Sequence, residues 1–160
     1  MAFEAERITR SSEITLNGKL EQVFPLFGPK KERDWAPGWA PHIIYLKGIL
    51  IEEHMVFTTQ SHHGHEPDST WIVSKFDPEA CYVEYTVFAP ERLWLIQIRC
   101  RETENGAKTV AKVTYTYTGL TDSGNHKNKI ALETMFKHDL KDWEEQINHF
   151  LATGKQIERS

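Results

Sequence analysis

The chain has 160 residues, of which 39% are hydrophobic and 26% charged, a balance typical of one globular domain rather than a disordered segment. Its 19 basic and 23 acidic side chains are interspersed and give a net charge of −4, so no basic stretch exists that would bind the phosphates of a nucleic acid. Apolar runs fall far short of the roughly 20 residues that span a bilayer, and residues 1–10 lack a signal-peptide core, so we expect no membrane insertion and a cytoplasmic location.

Two short helices are predicted after a first strand at residues 8–16. Asn17 is expected to cap the first helix, at residues 19–27, and Pro25 is expected to kink or shorten it. Pro29 is well placed to begin the second helix, because proline is favoured in the first turn.

Six further strands are expected, at residues 43–47, 51–60, 69–76, 81–88, 92–103 and 107–119. Asn105-Gly106 predicts a type I′ hairpin turn, which makes the numbers of facing residues on the last two strands sum to 211. A four-residue loop at residues 89–92 is expected before it, because proline is poor in a primed two-residue turn. If that loop is symmetric, facing numbers across it sum to 181.

These two registers give the last three strands one apolar face. Its cross-strand rows are Cys81, Cys100 and Ala111; Val83, Ile98 and Val113; Tyr85, Ile96 and Tyr115; and Val87, Trp94 and Tyr117. A slip of one residue would bury Arg99 and Lys112 from the opposite face. The sequence therefore predicts a wall that is small and apolar at one end and aromatic at the other, with both cysteines as reduced core residues.

A long helix is predicted from residue 125 or 126 to residue 153, after a loop at residues 119–124, and Gly154 is a suitable stop. Asp139 lies at the margin of its apolar stripe, beside Met135 and Trp143. Partial burial there would raise the pKa of the carboxyl and make it a general base or polar anchor. The alternative is an edge residue that reaches solvent or a basic neighbour. The stripe consists of Leu132, Phe136, Leu140, Trp143, Ile147 and Phe150.

One strand, two short helices, six strands and a long amphipathic helix is the element order of the helix-grip fold. Several segments carry the match further: VFPLFGP at residues 23–29, WAPGW at 35–39, VFTT at 56–59, TWIV at 70–73, the strand end at 114–120, and Trp143. In these segments the chain resembles a bacterial and archaeal branch of the START-like (SRPBCC) superfamily, which includes polyketide cyclases and dehydrases and lipid carriers.

The resemblance implies one α+β domain over residues 1–160, with a curved antiparallel sheet of about seven strands, two short helices and a long C-terminal helix. It also implies a pocket between the concave face of the sheet and that helix. Candidate ligand-binding residues are Tyr85, Trp94, Ile96, Tyr115, Tyr117, Met135, Asp139 and Trp143. Taken singly, the rings of the wall could equally fill the core. Trp35 and Trp39 form either a hydrophobic lid or a rigid turn anchored by two indoles.

A histidine-rich segment invites a metal-site interpretation. His62, His63 and His65 cluster near His54, Glu66 and Asp68. Zinc needs three or four converging ligands, whereas Gly64 and Pro67 predict a loop that would not preorganise them. We therefore expect a solvated loop at the pocket mouth, no metal site and no cofactor.

Three functions remain open from the sequence. The first is binding of a small hydrophobic or aromatic molecule. The second is a cyclase- or dehydratase-type enzyme in which Asp139, a pocket tyrosine or a nearby histidine moves protons. The third is a protein-interaction module resembling chaperone co-activators of the same fold, which would have a filled cavity and an exposed apolar patch. Leu93 and Leu95 on the outer face would then belong to a protein contact or a homodimer interface.

Overall fold

The computed structural model describes residues 2–61 and 67–158. Seven antiparallel strands form one sheet in the order β1-β7-β6-β5-β4-β3-β2. The strands are β1 (Arg7–Leu16), β2 (His42–Tyr45), β3 (Val56–Thr59), β4 (Ser69–Asp77), β5 (Tyr82–Ala89), β6 (Arg92–Glu102) and β7 (Thr109–Gly119). The helices are α1 (Leu20–Val23), α2 (Asp122–Thr134) and α3 (Leu140–Thr153), with 3-10 turns at Phe24–Phe27 and Lys31–Asp34 and a π-helical turn at Met135–Asp139.

Both predicted registers are confirmed, although the turns that set them differ from expectation. The numbers of facing residues sum to 181 across β5 and β6 and to 211 across β6 and β7. Ala89 pairs with Arg92, so the connection before β6 has two residues rather than four. Asn105 does not have positive φ and only Gly106 does, at 69°, so the second turn is not type I′. Asn105 instead accepts a hydrogen bond from the backbone of Ala107 at 3.0 Å, which closes a wider turn.

The N-terminal helical segment is short because Pro25 lies inside it. α1 ends at Val23 and continues as the 3-10 turn Phe24–Phe27. The predicted cap is wrong: Lys19 occupies the N-cap position, and Asn17 donates its backbone hydrogen to Asn148 Oδ1 at 2.7 Å. Asn17 therefore joins the end of β1 to α3.

β3 is much shorter than the strand predicted at residues 51–60. His54 has a φ of 73°, which extended backbone does not adopt, so regular pairing begins only after it. The predicted strand at residues 81–88 also starts one residue late, because Cys81 has a φ of 52° and belongs to the preceding turn. Cys81 is half-buried, and only Cys100 is a fully buried core thiol.

The C-terminal helix begins at Asp122, inside the predicted loop at residues 119–124. Thr121 caps it by accepting a hydrogen bond from the backbone of Gly124 at 3.0 Å. Gly154 ends α3 in the left-handed conformation, as predicted. The helix lies over the apolar face of the sheet, where Leu140 and Ile147 are buried against the strands.

Candidate functional site

A cavity of about 470 Å³ lies between the concave face of the sheet and the C-terminal helix. That volume falls within the range of about 300–1,000 Å³ typical of small-molecule sites. All five tryptophans of the chain and three of its five tyrosines line it. The structure brings all ten residues predicted for the pocket and its lid to this cavity: Trp35, Trp39, Tyr85, Trp94, Ile96, Tyr115, Tyr117, Met135, Asp139 and Trp143.

The sheet supplies the aromatic wall because alternate residues of β5, β6 and β7 point to the same side. Trp94 and Tyr117 face each other on neighbouring strands, with ring centroids 5.7 Å apart. Tyr115 stacks on Tyr117, also at 5.7 Å. β4 adds Trp71, which the sequence analysis did not place in the pocket and whose indole lies 5.7 Å from the ring of Tyr85.

The three phenols of the wall differ in their hydrogen bonds. Tyr85 donates to the carbonyl oxygen of Phe27 at 2.7 Å, so its hydroxyl has a structural partner. Within residues 2–61 and 67–158, no group hydrogen-bonds the hydroxyl of Tyr115 or Tyr117. These two hydroxyls are therefore the phenolic groups that a ligand would meet.

Trp35 and Trp39 close one end of the cavity, and both indoles hydrogen-bond to backbone. Trp35 donates to the carbonyl oxygen of Leu26 at 2.7 Å, and Trp39 donates to that of Pro29 at 2.7 Å. Trp35 is only 1% exposed, which favours a rigid anchor over a movable lid at this position. Trp39 is half-buried and is the better candidate for a residue at the entrance.

Asp139 lies at the end of the π-helical turn Met135–Asp139, and the first residue of that turn also lines the cavity. π-Turns inside α-helices occur frequently at functional sites. Burial raises the pKa of the Asp139 carboxyl, and the neighbouring charge of Asp142 raises it further, while His138 opposes this. Asp139 is half-buried and lines the cavity, and its role as a base or polar anchor stays a prediction.

Glu32 is a second carboxyl group in the cavity, and the sequence analysis missed it. Its backbone is fixed in a 3-10 turn, where Ala36 donates to its carbonyl oxygen at 2.8 Å. Burial raises the pKa of its carboxyl well above the ordinary glutamate value of 4.5. The spacing of Glu32 and Trp35 could have predicted this position, because residues three apart in a 3-10 turn lie on the same side of it.

Both carboxyl groups line the same cavity as the aromatic wall and raise the pKa values of its phenols. The pKa of Tyr115 is raised by burial and then by Tyr117, Glu32 and Asp139. Burial and the charge of Glu32 raise the pKa of Tyr85. No described residue donates a hydrogen bond to the side chain of Glu32 or Asp139, so neither carboxyl is satisfied by the chain between residues 2–61 and 67–158.

Arg92 is the single basic residue among the described residues that line the cavity. Its guanidinium lies over the ring of Trp94, 4.5 Å from the centroid. It also lines an adjoining recess of about 300 Å³ that the cavity shares with Trp39, Trp71 and Trp94. Arg92 therefore lies where the cavity meets this recess, and its guanidinium also donates to Asn128 Oδ1 on α2 at 3.5 Å.

The predicted histidine-rich segment falls largely outside the described residues. His62, His63, His65 and Glu66 lie outside the described residues. In the part of the chain that is described, no group of three His, Cys, Asp or Glu side chains could hold a metal ion. Within the same residues, no helix is long and apolar enough to cross a membrane.

Comparison with known proteins identifies the fold. No protein-family model matches the sequence, and comparison with curated proteins gives no match. Norcoclaurine synthase from Thalictrum flavum, solved with dopamine and hydroxybenzaldehyde, is 12% identical with a TM-score of 0.69, over 96% of this chain and 91% of that one. The Zhui aromatase/cyclase from a Streptomyces species is 13% identical with a TM-score of 0.68, over 95% of this chain and 100% of that one.

An uncharacterised protein from Rhizobium leguminosarum is 15% identical with a TM-score of 0.64, over 93% of this chain and 99% of that one. At such low identity these likenesses establish architecture. The chain shares the helix-grip fold of these structures, as its sequence predicted.

Proposed function

We propose that the protein binds a small aromatic molecule in the cavity between its sheet and its C-terminal helix. The observation that carries this proposal is the concentration of all five tryptophans around one space of about 470 Å³. Aromatic rings that only completed a core would pack against one another and leave no such space, since protein interiors are close-packed. The neighbouring norcoclaurine synthase was solved with two aromatic molecules, which supports the same class of occupant.

Filling the cavity tests this proposal. Ala131 lines the cavity from α2, so Ala131→Phe places a ring in the space that a ligand would occupy. Ala152 is exposed on α3, and Ala152→Phe is the matched control. We expect aromatic probes to quench the tryptophan fluorescence of the wild type and of Ala152→Phe, and to have at least about tenfold weaker effect on Ala131→Phe. Equal binding by both variants would place the ligand elsewhere.

Native mass spectrometry of the purified protein, followed by organic extraction, complements the variants. A small aromatic molecule bound at one equivalent would support the proposal and identify the chemistry. A protein that carries nothing and takes up nothing from a mixed aromatic and lipid extract would contradict it.

An enzyme of cyclase or dehydratase type is the second candidate, and Glu32 and Asp139 favour it. Catalytic acids and bases are commonly carboxyl groups whose pKa is raised by burial in a cleft. Burial raises the pKa of both carboxyl groups and that of Glu32 more strongly, so Glu32 is the candidate acid and Asp139 the candidate base. Conversion of a bound substrate by the wild type, lost in both Glu32→Gln and Asp139→Asn with binding retained, would establish this function.

The interaction-module hypothesis has weaker support. It requires a filled cavity, whereas about 470 Å³ is open. Leu93 and Leu95 are half-buried on the outer face. Exposed apolar side chains occur instead around β2, where Ile44 is 56% and Ile49 is 81% exposed. A homodimer remains a prediction, which sedimentation of the purified protein would test.

A further inference from the structure

The charged groups that line the cavity are mostly acidic. Glu32, Asp139 and Asp142 line it, and Arg92 is the single basic residue among the described residues that do. Arg92 donates to Asn128 Oδ1 on α2 at 3.5 Å and also lines the adjoining recess. A ligand in the cavity therefore meets more acidic than basic side chains.

Two of these acids, Glu32 and Asp139, lack donors within the described chain, and both are half-buried at the cavity. A buried carboxyl without a hydrogen-bond partner is unfavourable, and a charged one is more so. Glu32 and Asp139 come from different elements, a 3-10 turn and a π-helical turn, and both act on the same phenol, that of Tyr115. A positively charged donor in the cavity would compensate both at once.

Aromatic faces beside these acids favour the same charge. Trp35 follows Glu32 in its turn, and Trp143 follows Asp139 by one helical turn. Their rings meet edge to face with centroids 6.3 Å apart. An ammonium group is attracted to tryptophan faces, most strongly where water is excluded.

We propose that the ligand is an aryl amine, bound with its ring against the aromatic wall and its ammonium group near Glu32 and Asp139. This inference rests on the proposed binding function and specifies the class of ligand. It excludes aryl carboxylates and fatty acids from the same pose, because their charge would lie against two carboxyl groups. A neutral aromatic alcohol should bind with an affinity between those of the amine and the carboxylate.

Binding of the amine should release a proton. Burial raises the pKa of Glu32 in the empty cavity, and a neighbouring ammonium group favours the ionised carboxylate, so binding of the amine shifts this carboxyl toward its ionised form. The titratable and charged groups that share the cavity with it are Tyr85, Arg92, Tyr115, Tyr117, Asp139 and Asp142. The phenols remain neutral at pH 7, since burial raises each of their pKa values.

Three probes of nearly equal shape test the inference: phenethylamine, phenethyl alcohol and hydrocinnamate, which carry an ammonium, a hydroxyl and a carboxylate on the same phenylethyl group. By calorimetry at pH 7 we expect the amine to bind about tenfold or more tightly than the alcohol, with hydrocinnamate weakest. In buffers of different ionisation enthalpy, the amine should release a proton and the alcohol should not.

Glu32→Gln and Asp139→Asn keep side-chain size and remove charge. Each should reduce the preference for amine over alcohol, and Glu32→Gln should abolish proton release. Asp34→Asn, on the same 3-10 turn, and Glu145→Gln, on α3, are exposed controls that should change neither.

The outcomes separate the two proposals. If the alcohol binds in the cavity and the amine binds no better, the inference about the ligand is overturned and the binding function stands. An amine preference that survives both substitutions together also overturns the inference. Failure of all three probes to bind overturns both proposals.

Discussion

Tyr85 donates its phenolic hydrogen to the carbonyl oxygen of Phe27 at 2.7 Å, which joins the middle of the sheet to the 3-10 turn that follows α1. Both residues are buried, so water cannot replace the bond. The hydroxyl of Tyr85 therefore serves the fold, whereas those of Tyr115 and Tyr117 remain available to a ligand.

Tyr85→Phe should accordingly destabilise the protein by about 1–3 kcal/mol, the usual penalty for leaving a buried acceptor without its donor. Urea unfolding at constant pH measures this. Tyr82→Phe is the control, because Tyr82 is half-buried on the outer face and its partners there can turn to water. A smaller effect for Tyr85→Phe than for Tyr82→Phe would contradict the structural role given to this bond.

Glu32 should make stability depend on pH. Its pKa is raised in the folded state, so the folded chain holds a proton that the unfolded chain loses above the ordinary value of 4.5. The free energy of unfolding should then fall as pH rises from that value toward the folded pKa, with a limiting slope of about 1.4 kcal/mol per pH unit for one proton.

Glu32→Gln removes the ionisable group and with it this pH-dependent loss of stability. We expect its stability to match the wild type near pH 4 and to exceed it increasingly at neutral pH, as measured by urea unfolding across that interval. Asp34→Asn provides the exposed control on the same turn. Parallel stability curves for the wild type and Glu32→Gln would show that the carboxyl is ordinarily solvated.

The two faces of β6 should differ in their effect on binding. Trp94 points into the cavity, while Arg99 lies over the ring of Tyr82 on the outer face, 4.5 Å from its centroid. Trp94→Ala should weaken binding of an aromatic probe about tenfold, and Arg99→Ala should leave it unchanged. Titration by fluorescence compares them, and equal effects would contradict the assignment of the cavity as the binding site.

Gly124 allows the start of α2 to approach the turn before β6. A Cβ at this position would lie 1.8 Å from the carbonyl oxygen of Glu91, and backbone must move to relieve that clash. Gly124→Ala should therefore destabilise the protein by about 1–3 kcal/mol or more. Gly48→Ala is the control, because its Cβ meets only a flexible glutamate side chain at 3.2 Å. Thermal unfolding of the two variants checks this.

The aromatic wall followed from sequence because its strands are long and their polarity alternates. Burying Arg99 or Lys112 is so unfavourable that the register had one acceptable solution. The turns themselves were predicted less well, since Asn105-Gly106 satisfies more than one loop geometry. Symmetric loops of different length that share a centre produce the same strand pairing. The register was therefore predicted correctly although the turn types were not.

Glu32 escaped prediction because its sequence neighbourhood, KKERD, resembles a solvated charged run. Its place in the cavity depends on a 3-10 turn whose orientation is set by the hydrogen bond from Trp35 to Leu26. A tertiary contact of this kind leaves no periodic pattern in the sequence from which it could be predicted. Trp71 was missed for a related reason: β3 is short, and no strong turn fixes its register with β4 from sequence alone.

The π-helical turn at Met135–Asp139 divides the C-terminal helix into two segments whose phases differ by the equivalent of one inserted residue. A π-turn takes up one extra residue within nearly the same rotation, so deleting one residue from it would restore a continuous α-helix and leave the segment after it close to its present orientation. Deleting one residue of α3 between Trp143 and Ile147 would instead rotate everything after the deletion by about 100°, the angle that one residue occupies in a helix of 3.6 residues per turn. Ile147 would then turn away from the sheet, although the residue itself would still be present.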